Sequence, residues 1–200
     1  MRYAIAVLLL ASACSRAELP AARDGDLIFQ TSLSSQSAAV QRATHSQYSH
    51  MGIVLFKGTL PYVFEASAKV KYTPLAAWIK HGKGSHFVLK RLAHADSILT
   101  PAALQKMREA AARYEGRPYD LAFEWSDDRM YCSELAWKVL KQATGMEVGA
   151  TQTIKDFDLT DSTVKKKMQE RYGDHVPLDE TVISPAAMYS SPLLVTVAEQ

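Results

Sequence analysis

Along the first half of the chain, short apolar runs alternate with turn residues at a spacing that suits strands. Asp26-Leu27-Ile28-Phe29-Gln30 follows an Asp24-Gly25 turn signal. His50-Met51-Gly52-Ile53-Val54-Leu55-Phe56 and Tyr62-Val63-Phe64-Glu65-Ala66-Ser67 flank a Lys57-Gly58-Thr59 turn, and Lys69-Val70-Lys71-Tyr72-Thr73 follows directly. These β-branched and aromatic runs between turns predict consecutive antiparallel strands, and residues 86–92 predict one more. The Ser-rich segment 31–37 reads as a loop. Residues 37–44 predict a short helix with a serine as its N-cap, and residues 74–81 another.

The second half changes period. Thr100 followed by Pro101 is a cap with proline at the first helical position, which predicts a helix from Pro101 to Tyr114, ended by Gly116. After a connecting segment containing Pro118-Tyr119-Asp120 and Trp125-Ser126-Asp127-Asp128, a second amphipathic helix starts at Cys132 and runs to about Thr144. Gly145 stands where a helix turns left-handed to stop. Residues 151–172 predict one or two shorter helices, and residues 193–197 a last strand. The chain has no internal repeat and no low-complexity tract.

The N-terminus predicts a leader. Met1-Arg2 followed by an apolar run and small residues up to Cys14 reads as a secretory signal peptide, too short for the roughly 20 apolar residues of a membrane span. Two processing routes fit. Ala11-Ser12-Ala13 suits an A-x-A cleavage site, while small residues before Cys14 resemble a bacterial lipobox, with Ala11 where that motif usually has leucine. The expectation is a leader over residues 1–17 and one domain over residues 18–200, exported to the periplasm or outer surface of a bacterium. A lipidated Cys14 would add a membrane anchor. The full chain is 48% hydrophobic and 22% charged, and the part beyond the leader suits one globular domain with a substantial core. A formal charge of +2, spread among acids, gives no support for nucleic acid as a partner, and the run Lys165-Lys166-Lys167 reads as a solvated helix face.

Export sharpens the cysteine count. Only Cys14 and Cys132 occur, so Cys132 has no credible disulfide partner. In an oxidising compartment a lone thiol is either buried as a small hydrophobe or used. Its place at a helix start favours use, because the unpaired N–H groups and dipole of a helix N-terminus stabilise a thiolate. Two helpers stand on the predicted strands. His50 opens an apolar strand, with Gly52 on the same face leaving room beside the ring, and a hairpin would bring Glu65 near it. A buried carboxylate needs a partner, and an imidazole is a natural one. Thiol, histidine and carboxylate form the set used in nucleophilic acyl transfer. A zinc site on the same residues lacks the usual C-x-x-C or H-E-x-x-H spacing, so neither a metal nor a cofactor is expected. A non-catalytic envelope binding module is the other alternative.

Five segments together carry a resemblance: Gly25-Asp26-Leu27-Ile28-Phe29, Tyr48-Ser49-His50-Met51-Gly52-Ile53-Val54, Phe64-Glu65-Ala66, Gly116-Arg117-Pro118-Tyr119-Asp120 and Tyr131-Cys132-Ser133-Glu134-Leu135. Over roughly residues 24–140 the chain resembles the YiiX/YebB-like permuted papain-fold amidases, circularly permuted relatives of the NlpC/P60 cysteine peptidases. The order His50, Glu65, Cys132 is itself the permutation. The resemblance implies an α+β papain-like fold, an antiparallel sheet or half-barrel packed against helices. It implies Cys132 as nucleophile, His50 as general base and acid, and Glu65 as the residue orienting the ring. The oxyanion would be held by the Cys132 backbone N–H, with Tyr131, Ser49 and Tyr119 open as second donors. The implied substrate is a peptide, acyl-amide or lipid. Cell-wall peptide amides are one reading, and a lipid acyltransferase or esterase the other. Trp125, Tyr119 and Phe123 read either as the wall of an acyl pocket or as core aromatics.

Overall fold

The computed structural model describes residues 21–200. The expected leader, Cys14 included, lies outside the described residues. Strand β1 (Leu27–Gln30) is buried along its whole length and forms the middle of a sheet with β2 (His50–Lys57), β3 (Leu60–Ala66), β4 (Val70–Pro74) and β5 (Val88–Leu92). The short helix α1 (Ser37–Thr44) connects β1 to β2, and α2 (Leu75–His81) follows β4. A four-residue helix α3 (Ala95–Ile98) precedes the two long helices α4 (Pro101–Tyr114) and α5 (Cys132–Thr144). The remainder holds β6 (Gln152–Thr153), α6 (Ser162–Tyr172), β7 (Thr181–Val182), α7 (Pro185–Tyr189) and β8 (Leu194–Glu199). The main sheet runs β4-β3-β2-β1-β5-β8, every neighbouring pair antiparallel, and β6 and β7 form a separate two-stranded ribbon. The α+β expectation therefore holds.

Alternation along the strands sorts side chains to two faces. Leu27, Phe29, Met51, Ile53, Leu55 and Phe64 point to one face and pack against α4 and α5. Ile28, Val54, Val63 and Leu89 point to the other and pack under α2 through Leu75, Trp78 and Ile79. Both predicted helix ends are present. The Thr100 hydroxyl accepts from the Ala103 N–H at 3.2 Å, and Gly145 closes α5 at a left-handed φ of 75°.

The differences have local causes. The capping residue of α1 is Gln36, without a side-chain cap, because the Ser37 hydroxyl is buried inside the helix and lies 2.6 Å from the Ser49 hydroxyl. Helices α3 and α7 and the ribbon of β6 and β7 were not expected. Elements of two to five residues are too short to express a period, and tertiary contacts define them.

Candidate active site

Cys132 is the first residue of α5, preceded by Tyr131 in an extended conformation, so its side chain sits where the backbone N–H groups of the helix have no partners. The sulfur-bearing residue is 4% exposed, and α5 packs on β2 and β3. His50 opens β2 directly opposite Gln30 of β1. Glu65 lies on β3, brought over β2 by a register that pairs Ile53 with Phe64. Gly52 makes that approach possible. A Cβ there would fall 2.4 Å from Val63 Cγ1 and 2.8 Å from the Phe64 carbonyl oxygen, so the space beside the ring is filled by β3 itself.

The structure brings all three expected residues together. His50 Nε2 is 2.6 Å from Glu65 Oε2. The Cys132 side chain is close enough to the same imidazole to raise its pKa, and with Nε2 engaged by Glu65, Nδ1 is the nitrogen left for the sulfur. Glu65 is itself held. Thr73 Oγ1 donates to its Oε1 at 2.5 Å, and Trp78 Nε1 donates to its Oε2 at 2.9 Å. The Trp78 ring stacks on the imidazole, centroids 5.7 Å apart. Sequence reasoning missed Thr73 and Trp78. Thr73 stands on the strand beside Glu65, but only the docking of α2 under the sheet brings the indole N–H to the carboxylate.

The electrostatics follow from this arrangement. Burial on its own would lower the His50 pKa; the hydrogen bonds to Cys132 and Glu65 and the attraction of both groups outweigh it and raise it to about 10. Burial likewise works to raise the Glu65 pKa, but His50, Thr73 and Trp78 overcome it, and the carboxyl is held below the usual range. The imidazole is thus a cation paired with Glu65, and it can stabilise a thiolate on its other side.

The three open oxyanion donors separate by their hydrogen bonds. The Ser49 hydroxyl is engaged by Ser37 and accepts from the Ser32 N–H. The Tyr131 hydroxyl accepts from the Ile183 N–H at 3.0 Å, anchoring the chain before α7. Tyr119 differs. Its hydroxyl accepts from Gln36 Nε2 at 2.6 Å, and its pKa is raised, first by burial and then by the charge of Cys132. The loop after it is folded by Asp120, whose carboxylate accepts from the N–H groups of Ala122 and Glu124. Trp125 packs edge-on against Trp137 at 5.2 Å, whereas Tyr119 and Phe123 line a cavity at Cys132. Asp127 takes Lys138 at 2.8 Å. Lys165 and Lys166 are exposed as expected, but Lys167 is half-buried at the rim of that cavity.

Two cavities flank the cysteine and histidine. The first opens at Cys132 between α1, α6 and residues 182–185, and is walled by Val40, Ala43, Ile154, Phe157, Leu159 and Met168. About 110 Å³ of it can seat the centre of a water molecule. The second lies on the His50 side and is the more polar of the two, with Gln30, Ser32, Ser34, Ser67, Lys71 and His81 in its lining. Gln36, Ser49 and Tyr119 border both.

An antiparallel sheet carrying a histidine and a carboxylate, faced by a helix with a thiol in its first turn, defines the papain-like class, here with the thiol helix after the strands. The chain belongs to the family of permuted papain-like amidase enzymes, YaeF/YiiX, C92, which matches residues 21–198. It is 51% identical over 176 residues to the uncharacterized protein YiiX of Escherichia coli strain K12, covering 88% of this chain and 86% of that protein. A crystal structure described as metalloprotein YiiX from Escherichia coli O157:H7 matches with a TM-score of 0.85 at 50% identity, covering 89% of this chain and 97% of that one. The donor set here does not suit a resident metal. Among the described residues no three His, Cys, Asp or Glu side chains gather to hold an ion, and the Glu65 oxygens are already occupied by three donors.

Proposed function

We propose that the protein is a cysteine amidase acting on N-acyl amides with a long apolar acyl chain. The Cys132 sulfur attacks the carbonyl carbon, the C–N bond breaks, and His50 gives its proton to the departing nitrogen. Water then adds to the thioester, returning a proton to His50, and the C–S bond breaks to release a carboxylic acid. Glu65 orients the ring and stabilises its charge. The Cys132 N–H and the Tyr119 hydroxyl hold the oxyanion, each donor of this kind contributing about 2.7–4 kcal/mol where it has been removed.

The observation that carries the reading is the apolar cavity at Cys132. A chain of methylenes contributes about 0.8 kcal/mol for each CH₂ buried, and few polar groups in that cavity would pair with peptide amides. A cell-wall peptide is therefore the weaker substrate. The leaving amine would sit on the polar, His50 side, where its proton is supplied. Export by the leader, with or without a lipid on Cys14, belongs to the same proposal and would place the enzyme beside membrane acyl chains. Hydrolysis rates of N-acyl amides of rising chain length, measured against peptidoglycan fragments with Cys132→Ala as control, test it. Rates that rise with chain length and vanish in Cys132→Ala are expected. Cys132-dependent cleavage of the peptidoglycan fragments alone would contradict it.

A further inference from the structure

Arg171 and Gln36 form a relay that ends at Tyr119. Arg171 Nη2 lies 3.1 Å from Gln36 Oε1, and Gln36 Nε2 lies 2.6 Å from the Tyr119 hydroxyl. A guanidinium has donors and no acceptor, so the atom facing it must be the carboxamide oxygen. That fixes the NH₂ group toward Tyr119 without any choice of amide orientation. The Tyr119 oxygen is then an acceptor on that side, and its single proton must point elsewhere. Tyr119 borders both the cavity at Cys132 and the one on the His50 side, so the open direction for that proton is the cleft.

The relay is clamped at its far end. The Arg171 guanidinium lies 4.3 Å from the Phe123 ring centroid, and Phe123 is held in the left-handed region at a φ of 53°. One residue further on, the Tyr172 hydroxyl donates to the Ala122 carbonyl. The end of α6 is thus fastened to the loop that carries Tyr119 by two direct contacts, and to Tyr119 itself through Gln36. Residues 162–172 lie outside the stretch that carries the sequence resemblance, so nothing in it foretold this attachment.

We infer that Gln36 and Arg171 are positioning residues that aim the Tyr119 hydroxyl proton at the oxyanion, making helix α6 a part of the acyl-transfer machinery. The inference rests on the role given to Tyr119 in the proposed function. Gln36→Glu is the direct test, because it keeps the shape and the contact with Arg171 but presents an acceptor to Tyr119. The tyrosine proton then turns to the carboxylate and away from the cleft.

With p-nitrophenyl decanoate in single turnover, Gln36→Glu is expected to slow acylation of Cys132 by about 10²-fold, as Tyr119→Phe should, with the half-saturating concentration changed by less than about threefold. The double variant should be no slower than Tyr119→Phe alone. Arg171→Met should slow acylation several-fold and Arg171→Lys should recover part of the rate. Wild-type acylation in Gln36→Glu, or a loss that adds in full to that of Tyr119→Phe, would overturn the relay. A readout without turnover separates this failure from that of the proposed function. In Cys132→Ala carrying ¹³C-labelled tyrosine, Gln36→Glu should move the Tyr119 Cζ resonance, and an unmoved resonance would overturn the relay whatever the substrate proves to be.

Discussion

At the scale of single residues, the site depends on one charged imidazole. His50 keeps its proton up to about 10 because Cys132 and Glu65 together outweigh its burial. The imidazolium should therefore persist through neutral pH and decay as pH rises toward that value. Glu65→Gln removes the negative partner at 2.6 Å, so the His50 pKa should fall toward the ordinary 6.5. The alkaline limb of kcat/KM should move down by at least a unit, a shift equivalent to about 1.4 kcal/mol. An unmoved limb in Glu65→Gln would remove the carboxylate from the account. Trp78→Phe keeps the aromatic surface but deletes the indole donor to Glu65, which should lower stability by about 1–3 kcal/mol in urea unfolding. Cys132, His50 and Glu65 were legible in the sequence because each stands at a position with local meaning, a helix start or a strand. Thr73, Trp78 and Gln36 were not legible. Their roles arise from docking between elements, and residue type and spacing carry no record of it.

At the scale of elements, two close approaches hold the parts of the site in place. The first is β3 over β2 at Gly52, where any Cβ would meet Val63 and the Phe64 carbonyl. Gly52→Ala should lower stability by about 1–3 kcal/mol and reduce kcat along with it, since the same shift separates Glu65 from His50. Stability lost with full kcat retained would mean that β3 does not set the His50 geometry. The second is α5 against β2, which sets the thiol against the imidazole. The amphipathic helices α4 and α5 were readable to within a residue of their ends, because a long 3.6-residue period and a cap reinforce one another. The ribbon of β6 and β7 was not readable, since its two-residue strands show no alternation. Residues 151–172 gave only their helical character, and the wall they build for the apolar cavity emerges from packing on α1.

For the whole molecule, pH links the site to stability through three groups of different sign. A pKa raised by folding means the folded state holds its proton more tightly. The His50 contribution is fully present below 6.5 and is lost as pH rises through about 10. Glu134 is fully buried beside Cys132, and burial, partly offset by Lys138, raises its pKa to about 7. The Lys138 ammonium is 2.9 Å from Glu134 Oε1 but off the line of a directed hydrogen bond, so burial prevails. The Glu134 contribution is present below 4.5 and is lost as pH climbs through about 7. Glu65 acts in the opposite sense, with a lowered pKa whose contribution is present above 4.5 and lost as pH falls. Melting temperature should therefore decline from mildly acidic toward alkaline pH, and Glu134→Gln should flatten the part of the decline between 4.5 and about 7. An unchanged profile in Glu134→Gln would show that its proton is not linked to folding.

The same molecule, with its sheet and thiol helix in permuted order, is proposed to pass an acyl chain from nitrogen to sulfur to water, and the covalent intermediate is the most direct witness. Intact mass spectrometry of the wild-type protein, quenched in acid during turnover of an N-acyl amide with a long chain, should show the mass of the acyl group added to Cys132. It should be absent in Cys132→Ala, and it should accumulate more with long chains than with short ones. Hydrolysis of the amide with no acyl adduct at any quench time, or undiminished hydrolysis by Cys132→Ala, would contradict the account.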